Sequence, residues 1–212
     1  LLLPARLRRP IEVIYRFARA ADDIADEGEA SDAERLAGLA AYQAELDRMV
    51  LNAAILNGAL ELLPQSMASM AIIPLQVRLV YRIGKAHGYE LDRGHIKDFL
   101  ATTGVGMTGQ YVEQFGRKLI GGLLGKVLGG AGRAIGSQAT GSAFSFATTW
   151  AIGKVAQQYY GGGRTLDTAA LKQSFAGLFE QAKTLQARYA PEITQRAKTL
   201  DLGRLTAELR AS

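Results

Sequence analysis

The 212-residue chain contains no cysteine, which excludes disulfides, thiolate metal centres and cysteine nucleophiles. Histidine occurs only twice. His87 and His95 flank the turn-prone Gly88 and Gly94 and read as surface or cap residues, not as ligands. No stretch alternates apolar and polar residues as a half-buried strand does. No run interleaves basic and aromatic side chains, so nucleic acid is not an expected partner. A complete phosphate-binding loop is missing too: Gly125-Lys126 is followed by Val127, leaving no hydroxyl for Mg²⁺. Gly104-x-Gly106-x-x-Gly109 fits the dinucleotide pattern but follows a helix, where that pattern has no mechanism. In the opening LLLPARL, positive charge follows the apolar residues, the reverse of a secretory leader, and no Met precedes it; this start reads as that of a fragment.

What is present is helix-forming. Apolar residues make up 48% of the chain and charged residues 21%, a composition that supports a packed core. Residues 11–27 repeat apolar side chains at three- and four-residue spacing after Pro10. Ser31 followed by Glu34 forms a capping-box pattern, which starts a second helix running to about Met49. From Met49 to Val77 the only charge is Glu61, and Pro64 and Pro74 divide this stretch into pieces too short to span a bilayer. It reads as an interfacial hairpin or a buried core pair. Helices are predicted over 75–87, stopped by Gly88, and from Leu91 to about Thr103. After Gly161-Gly162-Gly163, two amphipathic helices are predicted over 168–189 and 191–209, parted at Pro191.

Most of the 24 glycines fall between Gly104 and Gly163. Glycine costs a lone helix about 1 kcal/mol relative to alanine, so this density points to closely packed helices. Gly121, Gly125, Gly129, Gly132 and Gly136 form small-xxx-small pairs. Ala134–Gly153 is uncharged over a spanning length, and Trp150, Tyr159 and Tyr160 lie near its end, as interfacial aromatics do. The expected fold is all-α, a helical bundle with a Gly-rich hairpin that contacts or spans a membrane. The net charge of +5 favours anionic lipid as a partner. The corresponding location is the inner membrane or its cytoplasmic surface.

The acidic run Asp22-Asp23-Ile24-Ala25-Asp26-Glu27 carries the clearest chemistry. Asp22 and Asp26 share one helix face, where paired carboxylates repel unless a cation lies between them. Mg²⁺ suits that role, since it takes carboxylate oxygens and leaves positions for phosphate. Arg16 and Arg19, one or two turns earlier, are placed to meet a diphosphate on such a metal.

The segment LLPARLRRPIEVIYRFARAADDIADEG, with AERLAGLAAYQAELDRM after it, resembles the N-terminal region of hopanoid-pathway squalene synthases, within the squalene/phytoene synthase family. That resemblance covers residues 1–49. It implies head-to-head joining of prenyl diphosphates, Mg²⁺ ligation by Asp22 and Asp26, diphosphate contact by Arg19, and a pocket-lining helix with Tyr15 and Phe17. The family pattern also holds a second Asp-x-x-x-Asp motif, and no carboxylate pair has that spacing after Met49. Activity of this chain alone is therefore not expected.

Residues 50–165 resemble a different group, an uncharacterised helical domain found behind Era-like GTPase modules and in inner-membrane proteins. The shared marks are Gln76, Arg78 and Ile83, the glycine hairpin at 119–136, and Ala151-Ile152-Gly153-Lys154-Val155. A GTPase or other protein partner follows from that resemblance. The expected organisation is 1–49, 50–165 and 166–212. The expected role is a membrane-associated interaction protein with an incomplete prenyltransferase-like N-terminus. The alternatives are a Mg²⁺-dependent prenyl-diphosphate condensing enzyme and a chimeric reading frame joined near residue 50.

Overall fold

The computed structural model describes residues 31–63, 65–103 and 130–210. Among these residues every regular element is a helix: α1 Asp32–Leu60, α2 Gln65–Ala86, α3 Arg93–Thr102, α4 Gly130–Gly161, α5 Thr168–Thr199 and α6 Leu202–Arg210. The all-α expectation holds.

Local chemistry sets the helix ends. At α1 the Ser31 hydroxyl accepts from the Glu34 amide, and the Ser31 amide donates back to the Glu34 carboxylate at 2.9 Å, so two orphan donors are satisfied reciprocally. These bonds hold the Glu34 carboxyl below its usual range. Three aspartates do the same work downstream. Asp92 accepts from the His95 amide at 2.8 Å, Asp167 from Ala170 at 2.8 Å, and Asp201 from Arg204 at 3.0 Å. Gly88 closes α2 with φ +80°, a conformation side chains resist.

Two prolines expected to break helices do not. Pro74 lies inside α2 and Pro191 inside α5. Both are exposed, so each ring has room on the solvent side of its helix; near Pro191, the carbonyl of exposed Ala187, which loses its amide partner, is open to water. The break between the last two helices comes instead at Leu200–Asp201, where backbone extends and Asp201 caps α6.

α4 is the central element. It packs antiparallel to α1, as a ladder of contacts shows. Lys154 donates to Asp47 at 2.8 Å near one end, Asn57 bonds Thr149 in the middle, and Ser145 donates to Glu61 at 2.9 Å near the other end. Small residues permit the close approach. A Cβ on Gly153 would lie 2.6 Å from Val50 Cγ1, and one on Gly58 3.3 Å from Phe146 Cβ. α2, α3 and α5 enclose the other sides. Val80 and Ile83 from α2, Phe99 from α3, Ile152 and Val155 from α4, and Phe175 and Phe179 from α5 meet in one apolar cluster with Val50. Burying a side chain of this size contributes about 2–3 kcal/mol. The Leu202, Leu205 and Leu209 stripe of α6 covers Leu60, Ala71 and Ile72.

This packing changes the reading of the uncharged run Ala134–Gly153. No described helix is long and apolar enough to cross a membrane. Phe146, Ala147, Thr149, Ala151 and Ile152 are buried by neighbouring helices, so over these residues the missing charge goes with a helix enclosed by protein. Trp150 packs between two apolar clusters, and Tyr160 is 3% exposed, so neither stands as a free interfacial aromatic. Of the small-xxx-small glycines, Gly132 and Gly136 lie in α4, while Gly121, Gly125 and Gly129 lie outside the described residues. Residue 49, where two resemblances meet in sequence, lies within the continuous α1 helix.

Burial also gives Tyr160 a pH signature. Its phenol, removed from water beside Tyr159, is pushed up to about 12. A folded pKa above the unfolded value of about 10 means that stability is fully present below pH 10 and is lost as pH rises towards 12. At pH 11 the wild-type folding constant is expected to fall roughly tenfold relative to Tyr160→Phe, measured by urea denaturation. Equal alkaline slopes for the two proteins would show that Tyr160 is not buried this way.

Candidate functional site

A groove of about 1000 Å³ opens between α1, α2, the C-terminal turns of α5 and α6. Each helix contributes one stripe. α1 supplies Glu45, Met49, Asn52 and Leu56, at helical spacing, and α2 supplies Leu75, Arg78 and Arg82. α5 contributes Glu192 and Arg196, and α6 contributes Asp201, Arg204, Leu205 and Glu208. The inward faces of α1 and α2 belong to the core, with Val50, Ala54, Leu79, Val80 and Ile83 buried. The groove stripes are therefore the sides of these helices turned away from α4.

The groove's four arginines face four carboxylates, but they are not all in ion pairs. Glu45 pairs with Arg48, and Glu208 with Arg204. Asp201 is committed to capping α6. Arg78, Arg82 and Arg196 form no ion pair with a carboxylate among the described residues. Enclosure by protein, then repulsion from Arg78, holds the Arg82 guanidinium below its usual range, with Glu45 partly offsetting both. It stays cationic regardless.

Behind the groove lies a buried polar seam. Thr149 Oγ1 accepts from Asn57 Nδ2 at 2.8 Å and from Gln76 Nε2 at 3.1 Å. All three residues are at most 4% exposed. Asn57 Oδ1 has no partner. The seam ties α1, α2 and α4 in register. A second cluster closes the far end, where Arg164, at φ +62°, stacks its guanidinium 5.7 Å from the Tyr89 ring and 5.9 Å from Tyr159. His87 packs edge-on against Tyr42, and burial lowers its pKa; it is a half-buried packing residue, not the simple surface residue expected. His95 belongs to the α3 cap, as expected.

The chemistry read from the acidic run cannot be placed on this frame: Asp22, Asp26, Arg16 and Arg19 lie outside the described residues. Among the described residues no three His, Cys, Asp or Glu side chains converge to hold a metal ion. The groove's carboxylates are spread over three helices, and three of the four are already engaged.

Residues 1–102 match the squalene/phytoene synthase family. No curated protein and no solved structure matches the chain. The N-terminal region is thus squalene/phytoene synthase-like, and the likeness extends from the acidic run through α1 and α2 and ends with α3. It passes beyond residue 49, where the resemblance was expected to stop. The GTPase-associated likeness of residues 50–165 finds no support in these comparisons. Within the groove, Met49, Leu56, Arg78 and Arg82 come from the squalene/phytoene synthase-like region, and Arg196, Arg204 and Leu205 from the rest of the chain. Nothing in the sequence joins Arg78 and Arg82 to Arg196, more than a hundred residues away.

Proposed function

We propose that this protein binds prenyl diphosphates through its squalene/phytoene synthase-like region and does not complete their condensation alone. The match over residues 1–102 carries this reading. In it, Asp22 and Asp26 hold Mg²⁺, which neutralises the diphosphate, and Arg19 and Arg16 donate to its oxygens. A single Asp-x-x-x-Asp pair binds one face of a diphosphate. Ionising two such groups calls for a second cluster opposite the first, and none is formed among the described residues.

A peripheral membrane location accompanies this reading. Prenyl chains partition into lipid, and a net charge of +5 draws the protein to anionic headgroups. No described helix has to cross the bilayer for this.

Calorimetric titration with farnesyl diphosphate tests the proposal. Micromolar binding is expected in Mg²⁺, weakened at least tenfold by EDTA or by Asp22→Asn with Asp26→Asn, while the circular dichroism spectrum stays unchanged. Radiolabelled farnesyl diphosphate should yield no coupled hydrocarbon. Binding indifferent to Mg²⁺ and to both aspartates would overturn the reading.

A further inference from the structure

We propose that His87 is an acid-sensitive latch, which fastens the turn between α2 and α3 to the C-terminal end of α4 and lets it go when the ring takes a second proton. The latch uses neither Mg²⁺ nor the acidic run, so it goes beyond the binding reading above and stands or falls separately from it.

Three helices meet at one imidazole. His87 directly follows α2, which ends at Ala86. Its ring rests on Gly161, the last residue of α4: a Cβ there would fall 3.3 Å from the ring's Cε1, 3.7 Å from Nε2 and 3.8 Å from Nδ1. From α1, Tyr42 meets the ring edge-on at a centroid distance of 6.3 Å, and its hydroxyl donates to the Ala86 carbonyl. The chain then reverses. Gly88 takes φ +80°, the Tyr89 amide donates back to the Gly84 carbonyl at 2.9 Å, and Leu91 folds over Gly84. The turn leading into α3 is thus held at its first residue by a ring seated on α4.

That ring is poorly prepared for a positive charge. Nε2 is buried, and no protein group donates to it or accepts from it. A neutral imidazole can leave this nitrogen as a bare lone pair, whereas the cation carries a proton on both nitrogens. Protonation therefore places an N–H where no protein acceptor is within reach, and such a group is costly to bury. Among the described residues no carboxylate makes an ion pair with His87. On α1, the Tyr42 hydroxyl is turned to Ala86, and Asp47 is paired with Lys154 of α4 at 2.8 Å. On α4, Tyr160, the neighbour of Gly161, is a neutral phenol. On the side of His87 itself, Lys85 pairs with Glu90 at 2.8 Å, and Arg164, just past Gly161, stacks over Tyr89 and Tyr159. His95, by contrast, has the Asp92 carboxylate 3.0 Å from its Nδ1.

Burial, with no charged neighbour contributing, holds the His87 pKa below its ordinary value of about 6.5. A folded pKa below the unfolded one means that the stability is present above about pH 6.5 and is lost as pH falls through the folded value. A charged His87 is accommodated by leaving Gly161 for water, and the turn at 84–92 leaves with it. Imidazoles that gain charge at a packed junction are a usual basis of acid-triggered switches.

Hydrogen exchange of the full chain, followed by mass spectrometry at about pH 7.5 and about pH 5 and corrected for intrinsic amide rates, tests the latch. Protection of the peptides over 84–92 and 158–166 is expected to fall roughly threefold or more at the lower pH, while the α5 segment 171–182 keeps its protection. His87→Phe, which keeps an aromatic ring and cannot titrate, should remove this pH dependence. Equal deprotection in wild type and variant, no deprotection at all, or loss of protection in α5 as well would each overturn the proposal. A second measurement does not depend on that variant folding. In His95→Gln, His87 is the only imidazole, and the Asp92 cap is kept because it binds the backbone amide of residue 95. The His87 ring protons, followed by NMR, should titrate with a midpoint below about 6.5; a midpoint at or above that value overturns the latch. Neither measurement contains Mg²⁺ or a prenyl diphosphate. Failure here leaves the binding reading untouched, and failure of farnesyl diphosphate binding leaves the latch untouched.

Discussion

Thr149→Val is expected to lower stability by about 2–5 kcal/mol, although it exchanges side chains of nearly equal volume. The hydroxyl is the shared acceptor of two buried amides, Asn57 Nδ2 and Gln76 Nε2. Removing it strands both donors where water cannot reach, and each stranded group costs about 1–3 kcal/mol. The seam's own contribution is much smaller than that loss, because the folded bonds replace bonds to water. A second expectation follows. Replacing the whole seam, with Asn57→Leu, Gln76→Met and Thr149→Val together, should restore stability to within roughly 1.5 kcal/mol of the wild type. Asn57 helps this recovery, since its Oδ1 is already buried without a partner. Urea denaturation followed by circular dichroism measures both. A loss under about 0.5 kcal/mol for Thr149→Val would mean that the seam is solvated and the three helices are not packed as described.

The largest effect from adding atoms is expected at Gly153. A Cβ there would fall 2.6 and 2.7 Å from the two Cγ atoms of Val50 and 3.1 Å from its Cβ. Val50 is fully buried and β-branched, so rotation about its one side-chain torsion exchanges methyl positions without clearing the space. α1 and α4 would have to move apart. Gly153→Ala should therefore destabilise by about 1–3 kcal/mol despite alanine's helix propensity, which on its own would add about 1 kcal/mol of stability. Gly153→Val, with two further methyl groups, should lose more than 3 kcal/mol or fail to fold.

Much of the fold was legible in the chain. The capping box at Ser31 and Glu34, the stop at Gly88 and the turn at Gly161–Gly163 are local signals, fixed by backbone conformations that few residues adopt. Pro74 and Pro191 misled, because whether a proline ends a helix depends on what surrounds the freed carbonyl. That is a tertiary fact. The run Ala134–Gly153 is ambiguous for a related reason. A helix enclosed by other helices and a helix enclosed by lipid both lose their charges, and sequence alone does not name the neighbour. Its hydroxyl-rich composition was the clue: Thr149 and Ser145 have polar partners on α1 and α2. The groove was the least legible feature, since Arg196 comes to line it with Arg78 and Arg82 only when α5 folds back against α1.

The squalene/phytoene synthase-like region and the glycine-rich segment share one core. A double-mutant cycle between Val50 and Gly153 tests this most directly, because the pair joins the two segments. Val50→Ala alone should cost about 1–3 kcal/mol as a cavity, and Gly153→Ala alone a similar amount as a clash. Together they should cost less than their sum by at least 1 kcal/mol, since the added methyl occupies the space the valine vacates. Additive losses would place Val50 and Gly153 apart and rule out a shared core.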